Sequence, residues 1–407
     1  LYTTWGTSVF SRTYLLHLVA TTISMLGTAG ANVAAVFTVL YAGGDTTDVA
    51  SVALASLLPA LAFFLIGGVI ADRWPRNLVL VGSNSLSALS QGVLAVLVLT
   101  GSVRMWHLVF AAAITGLTTA FAMPASQGLL MRGVDREHAS RAFALFRLGI
   151  NLAQIGGAAL GGVLVAGIGP GWVLAADAAT FAVAALLRLA MRVEGRLRVS
   201  GGLGRELAEG WTEFRAHRWL AALVVQFAAI STLSVGAFEN VLGPVQANES
   251  LGGAAAWGAV LAADAVGMVL GGLVMLRWQP RRPLVGAACA GLLTVLPMLS
   301  MAAGMPVVVV CAAALTGGLG VEVFGVNLMT AMSSQVDRER ISRVSAYQSL
   351  AGFGLTPLGV AATGQLAGLV GTRATLWTGS VLLAALGLAV LALPSVRELR
   401  PGTAVRP

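Results

Sequence analysis

The chain of 407 residues contains no lysine, and all 25 of its basic residues are arginine. A Walker A loop needs a lysine that reaches the nucleotide phosphates, so ATP-driven pumping within this chain is excluded, as is any mechanism built on a catalytic lysine. Charge of either sign is scarce: charged residues make up 10% of the sequence, and only 17 residues are acidic. No HExxH or GxSxG pattern is present, which leaves an enzyme without visible chemistry, and neither a cofactor nor a metal is expected. The two cysteines, Cys289 and Cys311, fall near opposite ends of adjacent antiparallel spans and read as small apolar residues rather than a disulfide. The all-arginine usage fits a GC-rich bacterial genome.

What the sequence has in abundance is apolar surface, with 57% hydrophobic residues and 50 glycines. No water-soluble domain of this size could bury that much, so the solvent of this chain is lipid. A helix needs about 20 predominantly apolar residues to cross the hydrocarbon. Such stretches predict twelve spans, near 14–40, 49–71, 77–100, 105–131, 140–168, 171–191, 219–243, 254–276, 283–303, 306–332, 341–369 and 374–393. The expected class is an all-α membrane protein. No cleavable leader pattern is recognised, and the first span is expected to serve as the insertion signal.

The net charge of +8 does not point to nucleic acid, because of where the arginines lie. Arg73, Arg76, Arg132, Arg136, Arg141, Arg192, Arg215, Arg218, Arg277, Arg282, Arg338, Arg343 and Arg397 fall in loops on one side, against Arg104 and Arg373 on the other. The positive-inside rule therefore predicts that both termini are cytoplasmic.

The two halves of the chain resemble each other. Val134-Asp135-Arg136-Glu137-His138-Ala139-Ser140-Arg141 recurs 202 residues later as Val336-Asp337-Arg338-Glu339-Arg340-Ile341-Ser342-Arg343, with six of eight positions identical. Gly67-Gly68 followed by Arg73-Trp74 recurs as Gly271-Gly272 followed by Arg277-Trp278. This is the pattern of two six-span bundles repeated in the same orientation. It divides the chain into a bundle over 1–191, a cytoplasmic linker over 192–218, a second bundle over 219–393 and a cytoplasmic tail over 394–407. Leu203, Leu207, Trp211 and Phe214 recur at helical spacing in the linker, as in an amphipathic helix lying on the membrane surface.

Between the second and third spans runs Gly68-Val69-Ile70-Ala71-Asp72-Arg73-Trp74-Pro75-Arg76-Asn77. It resembles the G-x-x-x-D-R-x-G-R-[RK] signature of the major facilitator superfamily, with Pro75 and Asn77 departing from it. The pattern of Asn151 and Gln154 leading into Gly157-Ala158-Ala159-Leu160-Gly161-Gly162, together with Glu322-Val323-Phe324-Gly325-Val326 and Leu355-Thr356-Pro357-Leu358-Gly359, is similar to the macrolide-efflux and enterobactin-exporter branch of that family. Ala158 replaces the proline of the antiporter motif in related exporters. The resemblance implies the major facilitator fold, a bacterial inner membrane location, a monomer, and a latch of Gly68, Asp72, Arg73, Arg76 and Asp135 that closes the cytoplasmic side in one state. It also implies that the small-residue stripes Gly149, Ala153, Gly157, Gly161 of the fifth span and Ala259, Ala263, Gly267, Gly271 of the eighth form a sliding contact between halves, with packing inside one half as the alternative.

A charge inside a span costs at least about 2.5 kcal/mol on insertion scales and so marks a candidate for function. Arg147, Asp177, Glu239, Asp264 and Glu322 stand out. Glu322 and Asp264 are the proton-coupling candidates, with Arg147 as a partner of either. Burial favours a neutral carboxyl and a nearby arginine the ionised one, so separating such a pair would move a proton. A permanent structural pair is the alternative. Asn32, Asn151, Gln154, Gln226, Glu239, Asn327 and Gln348 are the substrate-cavity candidates, while Asp177 is read as structural, and His17 and His107 as snorkelling or capping residues near the interfaces. The expected function is proton-coupled export of a small amphipathic compound such as an antibiotic, drug or siderophore. The alternatives are a proton-coupled uptake symporter and a membrane sensor or scaffold that transports nothing.

Overall fold

A computed structural model describes residues 11–130, 139–191, 218–278, 280, 282–335 and 338–397. Nearly all of them are helical, as the lipid solvent requires, because a helix satisfies its own backbone hydrogen bonds. The first six spans are α1 (Arg12–Tyr41), α2 (Thr46–Arg73), α3 (Arg76–Leu99), α4 (Met105–Leu130), α5 (Ala139–Ile168) and α6 (Pro170–Leu189). The seventh begins as α7 (Arg218–Ala229), continues as a π-helix over Ile230–Leu242 and ends as α8 (Gly243–Ser250). Then follow α9 (Ala254–Arg277), α10 (Pro283–Leu293) with α11 (Val295–Ala302), α12 (Val307–Gln335), α13 (Arg338–Val370), α14 (Thr372–Ala392) and the short α15 (Pro394–Arg397).

Eleven stretches among the described residues are long and apolar enough to cross a membrane, and Gly354–Val370 of α13 adds a shorter apolar one. The twelve spans expected from hydropathy are thus matched by helices. The seventh runs further than expected, from Trp219 to Ser250. The expected linker helix lies outside the described residues.

The chain divides into two compact units, Leu1–Ala42 with Ala55–Val199, and Gly43–Leu54 with Ser200–Pro407. The first turns of α2 therefore group with the second unit. Within the first unit α1 packs on α5 and α6, and α3 on α4 and α6. Within the second, α9 and α10 pack on α12, the π-helical stretch on α13, and α11 on α14. An extensive buried apolar cluster lies in the second unit, where Trp219, Leu220 and Leu223 of α7 meet Leu284 of α10 and Phe324, Leu328 and Met332 of α12.

The sequence repeat has a structural counterpart. Gly169 and Gly371, 202 residues apart, both take a φ of +89° and both stand at the start of the last helix of a bundle. Their N–H groups close the preceding helices on Val165 and Ala367, at 3.1 and 2.9 Å, in a conformation that favours glycine. Gly116 and Gly318 share the same offset: a Cβ on Gly116 would strike the Ser56 carbonyl, and one on Gly318 the Asp264 carbonyl. The offset recurs once more at Gly157, against the backbone of Leu26, and Gly359, against Thr232. Each bundle is thus held by helix crossings too close for any side chain.

These crossings revise the expected sliding contact. Gly149 faces Thr22, Gly157 faces Leu26 and Ala29, and Gly161 faces Gly30, so the stripe of α5 seats α1 inside the first unit. Gly267 and Gly271 face Leu315 and Leu319, so the stripe of α9 seats α12 inside the second. The reason is physical: lipid tails are as apolar as leucine, so close van der Waals approach within a bundle is itself a main source of cohesion.

Helix α12 carries a built-in comparison. Gly318 lies against backbone, whereas a Cβ on Gly325 would meet nothing within 4 Å. We expect Gly318→Ala to cost about 1–3 kcal/mol through overpacking. Gly325→Ala should be neutral or stabilise by about 0.5–1 kcal/mol through helix propensity. Thermal unfolding of the two purified variants in detergent checks this, and equal melting temperatures would refute the crossing as described.

Candidate functional site

The second unit contains a small cavity lined by Ser234, Phe238 and Glu239 of the π-helical stretch, Trp257, Val260, Leu261 and Asp264 of α9, Pro297 of α11, and Ala314 and Gly317 of α12. Two carboxyl side chains therefore share one enclosure. It leaves about 10 Å³ for the centre of a water-sized guest, the room of roughly one water molecule.

Each wall has a local cause in the sequence. Trp257 is fully buried and stands edge-on to Phe238, with ring centroids 5.6 Å apart at 83°. Gly243 makes room for that indole, since a Cβ there would collide with the ring. Pro297 has no N–H to give to the turn before it, and the ninth span breaks at Thr294, whose hydroxyl covers the Gly291 carbonyl at 2.7 Å. Gly317 lets the Pro297 ring approach: a Cβ there would lie 2.7 Å from Pro297 Cγ and 3.8 Å from Asp264 Oδ1. Glu239 sits on a π-helix of 13 residues, a form that is rare and usually a single turn, concentrated at functional sites.

The other expected residues are distributed as follows. Glu322 is half-buried on α12 beside Gly271 and Gly272 of α9 and does not line the cavity. Arg147 is exposed on α5 in the first unit. Asn32 and Gln154 are exposed, and Asn151 and Gln348 half-buried. Gln226 and Asn327 turn to the inside of the second unit, where Gln226 donates to the Ala288 carbonyl at 3.1 Å and Asn327 to the Val323 carbonyl at 2.8 Å. An amide in lipid is held by whichever carbonyl lies nearest, which explains why polar type alone did not separate cavity residues from packing residues.

The latch residues Gly68, Asp72 and Arg73 belong to the last turns of α2, with side chains outside the described set, as is Asp135 altogether; Arg76 begins α3 and is half-buried. Of the two histidines expected near interfaces, His107 caps the start of α4, its Nδ1 accepting from the Arg104 N–H at 2.9 Å. His17 is fully buried rather than snorkelling: its Nε2 lies 3.2 Å from the Ser126 carbonyl, and its ring stacks on Phe146 at 5.3 Å. Both cysteines are free.

Two features of the first unit were not legible as sites. Arg188 is buried at the end of α6 and donates to Thr21 Oγ1 at 2.9 Å; an arginine in the last turn of a span is ordinary, so the sequence does not single it out. Asp177, read as structural, is fully buried against α1.

Over most of its length the chain can be set beside known proteins. It is 28% identical over 406 residues to the multidrug efflux pump Tap of Mycolicibacterium fortuitum, covering 95% of this chain and 96% of that one. To Tap of Mycobacterium tuberculosis it is 26% identical over 405 residues, covering 94% of each. Among solved structures, the nucleoside transporter NupG superposes with a TM-score of 0.70 at 14% identity, over 93% of this chain and 98% of that one. A POT family transporter in complex with 5-aminolevulinic acid gives 0.72 at 12% identity, over 96% of each. At such identities the structures speak for the fold. The family model of the Major Facilitator Superfamily matches residues 18–355, and the chain belongs to that family.

Proposed function

We propose that this transporter is a proton-driven exporter of small amphipathic compounds, working by alternating access in a bacterial cytoplasmic membrane with both termini inside. The observation that carries the coupling is the enclosure shared by Glu239 and Asp264. Two carboxylates facing one confined space repel each other, and a proton held between them removes the repulsion. The space admits about one water, so its guest is a proton and not the exported compound. For that compound the polar residues of the first unit, exposed Asn32 and Gln154 and half-buried Asn151, are the contacts we propose. Similarity over nearly full length to multidrug efflux pumps supports export over uptake, and the one-sided arginines support the orientation.

Gradient-driven flux in proteoliposomes tests the coupling. Asp264→Asn and Glu239→Gln should each reduce it by roughly 5- to 150-fold, the range of a coupling free energy of about 1–3 kcal/mol, and flatten its dependence on pH while substrate binding persists. If coupling instead resides at Glu322 with Arg147, Glu322→Gln will lose it and Asp264→Asn will keep it. Substrates are found by comparing growth inhibition of expressing and non-expressing cells over a panel of amphipathic antibiotics. Equal inhibition throughout, with binding but no flux, would favour a sensor.

The latch is tested separately. Asp72→Asn should lower transport while insertion and protein level stay normal, because it shifts the balance between inward-open and outward-open states. Unchanged transport at equal protein level would remove the latch from the mechanism.

A further inference from the structure

Asp177 stands near the middle of α6 and is 0% exposed. It lies at the contact with α1, where Gly27 provides the space it occupies: a Cβ on Gly27 would fall 2.6 Å from Asp177 Oδ1 and would collide with Thr180 Oγ1. The Thr180 hydroxyl is committed to the Asp177 main-chain carbonyl at 2.7 Å and reaches Oδ1 only at 3.4 Å. Oδ2 has no hydrogen-bond partner, and neither does the buried hydroxyl of Thr28, the residue next to Gly27 on α1. A structural carboxyl would be satisfied by fixed donors or acceptors, and an orphan of this kind needs an explanation.

Among the described residues no charge compensates it. Helices α1, α3 and α5 pack on α6, and their titratable and charged residues are Arg12, Tyr14, His17 and Tyr41 on α1, Arg76 on α3, and Arg141 and Arg147 on α5. Along α1, His17 is ten residues from Gly27, about 15 Å at 1.5 Å per residue, and Tyr41 is further still. Gly92 of α3 packs on Ala178, so Arg76 lies some four turns away, and Gly157 of α5 packs on Leu26, which puts Arg147 about 15 Å off and Arg141 beyond it. Arg188, on α6 itself, is about 16 Å along the axis. Among the described residues no three potential metal ligands come together.

We infer that Asp177 is a second proton-binding site, located in the first unit and independent of Glu239 and Asp264. The ligand is a proton because nothing else fits: the contact with α1 is closed, and two carboxyl oxygens with one committed hydroxyl cannot replace the shell of a sodium ion. Proton binding here does not depend on the export reading. Within that reading it adds a proton to the cycle.

Infrared spectroscopy of the reconstituted full chain tests this, using the Glu239→Gln/Asp264→Asn background to silence the other site and isotopically labelled aspartate carboxyls. Lowering the pH should bring up a protonated-carboxyl band, shifted by the label, that disappears completely in Asp177→Asn. Should that variant not fold, Asp177→Glu keeps a carboxyl in place: the band should persist and lose its sensitivity to the aspartate label. A label-sensitive band left unchanged by both substitutions would overturn the inference. So would a band at Asp177 that is constant from acid to alkaline pH, which marks a permanently neutral structural group, or a titration that depends on sodium when choline replaces it. Because the background lacks the proposed coupling pair, failure here leaves the export reading untouched, and failure of gradient-driven flux leaves this one untouched.

Discussion

The position of Asp264 depends on a contact made chiefly by backbone. Gly318 of α12 sits against the main-chain carbonyl of Asp264, and Gly267 and Gly271 of α9 sit against the backbone around Leu315 and Leu319. Helices pressed together backbone to backbone have little freedom to rotate, so the direction in which Asp264 leaves α9 is set by glycines on two helices. The carboxyl emerges beside Gly317 and Pro297 and opposite the π-helical turn that presents Glu239. In water such glycines would weaken the helices that carry them. In lipid, where apolar side chains gain nothing by leaving the solvent, close backbone approach is what holds the bundle together.

The π-helical stretch is the other half of the arrangement. It spans Ile230–Leu242 and gives way to α8 at Pro244, a residue without an N–H to continue any ladder. Gly236, within the stretch, packs on Thr356 and Val360 of α13. Glu239 is thus carried by a helical form that lies close in energy to the ordinary α-helix but places side chains at a different angle. On the proposed reading, a change of state that moves α13 acts on the segment that aims Glu239, so proton loading and conformation share one mechanical element.

Much of this was open to sequence reasoning. The twelve spans follow from apolar length, and the parallel repeat from the Val134 and Val336 segments; the repeat reappears in the structure at Gly169 and Gly371. Asp264 and Glu239 were each visible as charges within apolar runs. Their meeting was not, because they lie on separate helices joined by a turn, and sequence distance says nothing about which faces of two antiparallel helices adjoin. The glycine stripes were visible as well, but a small residue every fourth position reports a close crossing without naming the helix crossed. Arg188 and His17 escaped for a related reason: both are near span ends, where a charged or polar residue is ordinary, and it is tertiary packing that buries them, of α6 on α1 for Arg188 and of α1 on α4 and α5 for His17.

The two carboxyl sites differ in what must happen before a proton can leave. A proton departs from a carboxyl only to another base or to water. In the second unit Glu239 and Asp264 supply each other with a base and have room for a water, so exchange between them requires no rearrangement of helices. Asp177 has neither: the Thr180 hydroxyl is spoken for, and Gly27 closes the contact from α1. A proton can reach or leave it only when α1 and α6 part near Gly27. A carboxyl buried in this way reaches its equilibrium with the pH of a compartment only in step with helix motion, which is the property that ties a proton to a conformational cycle instead of letting it leak.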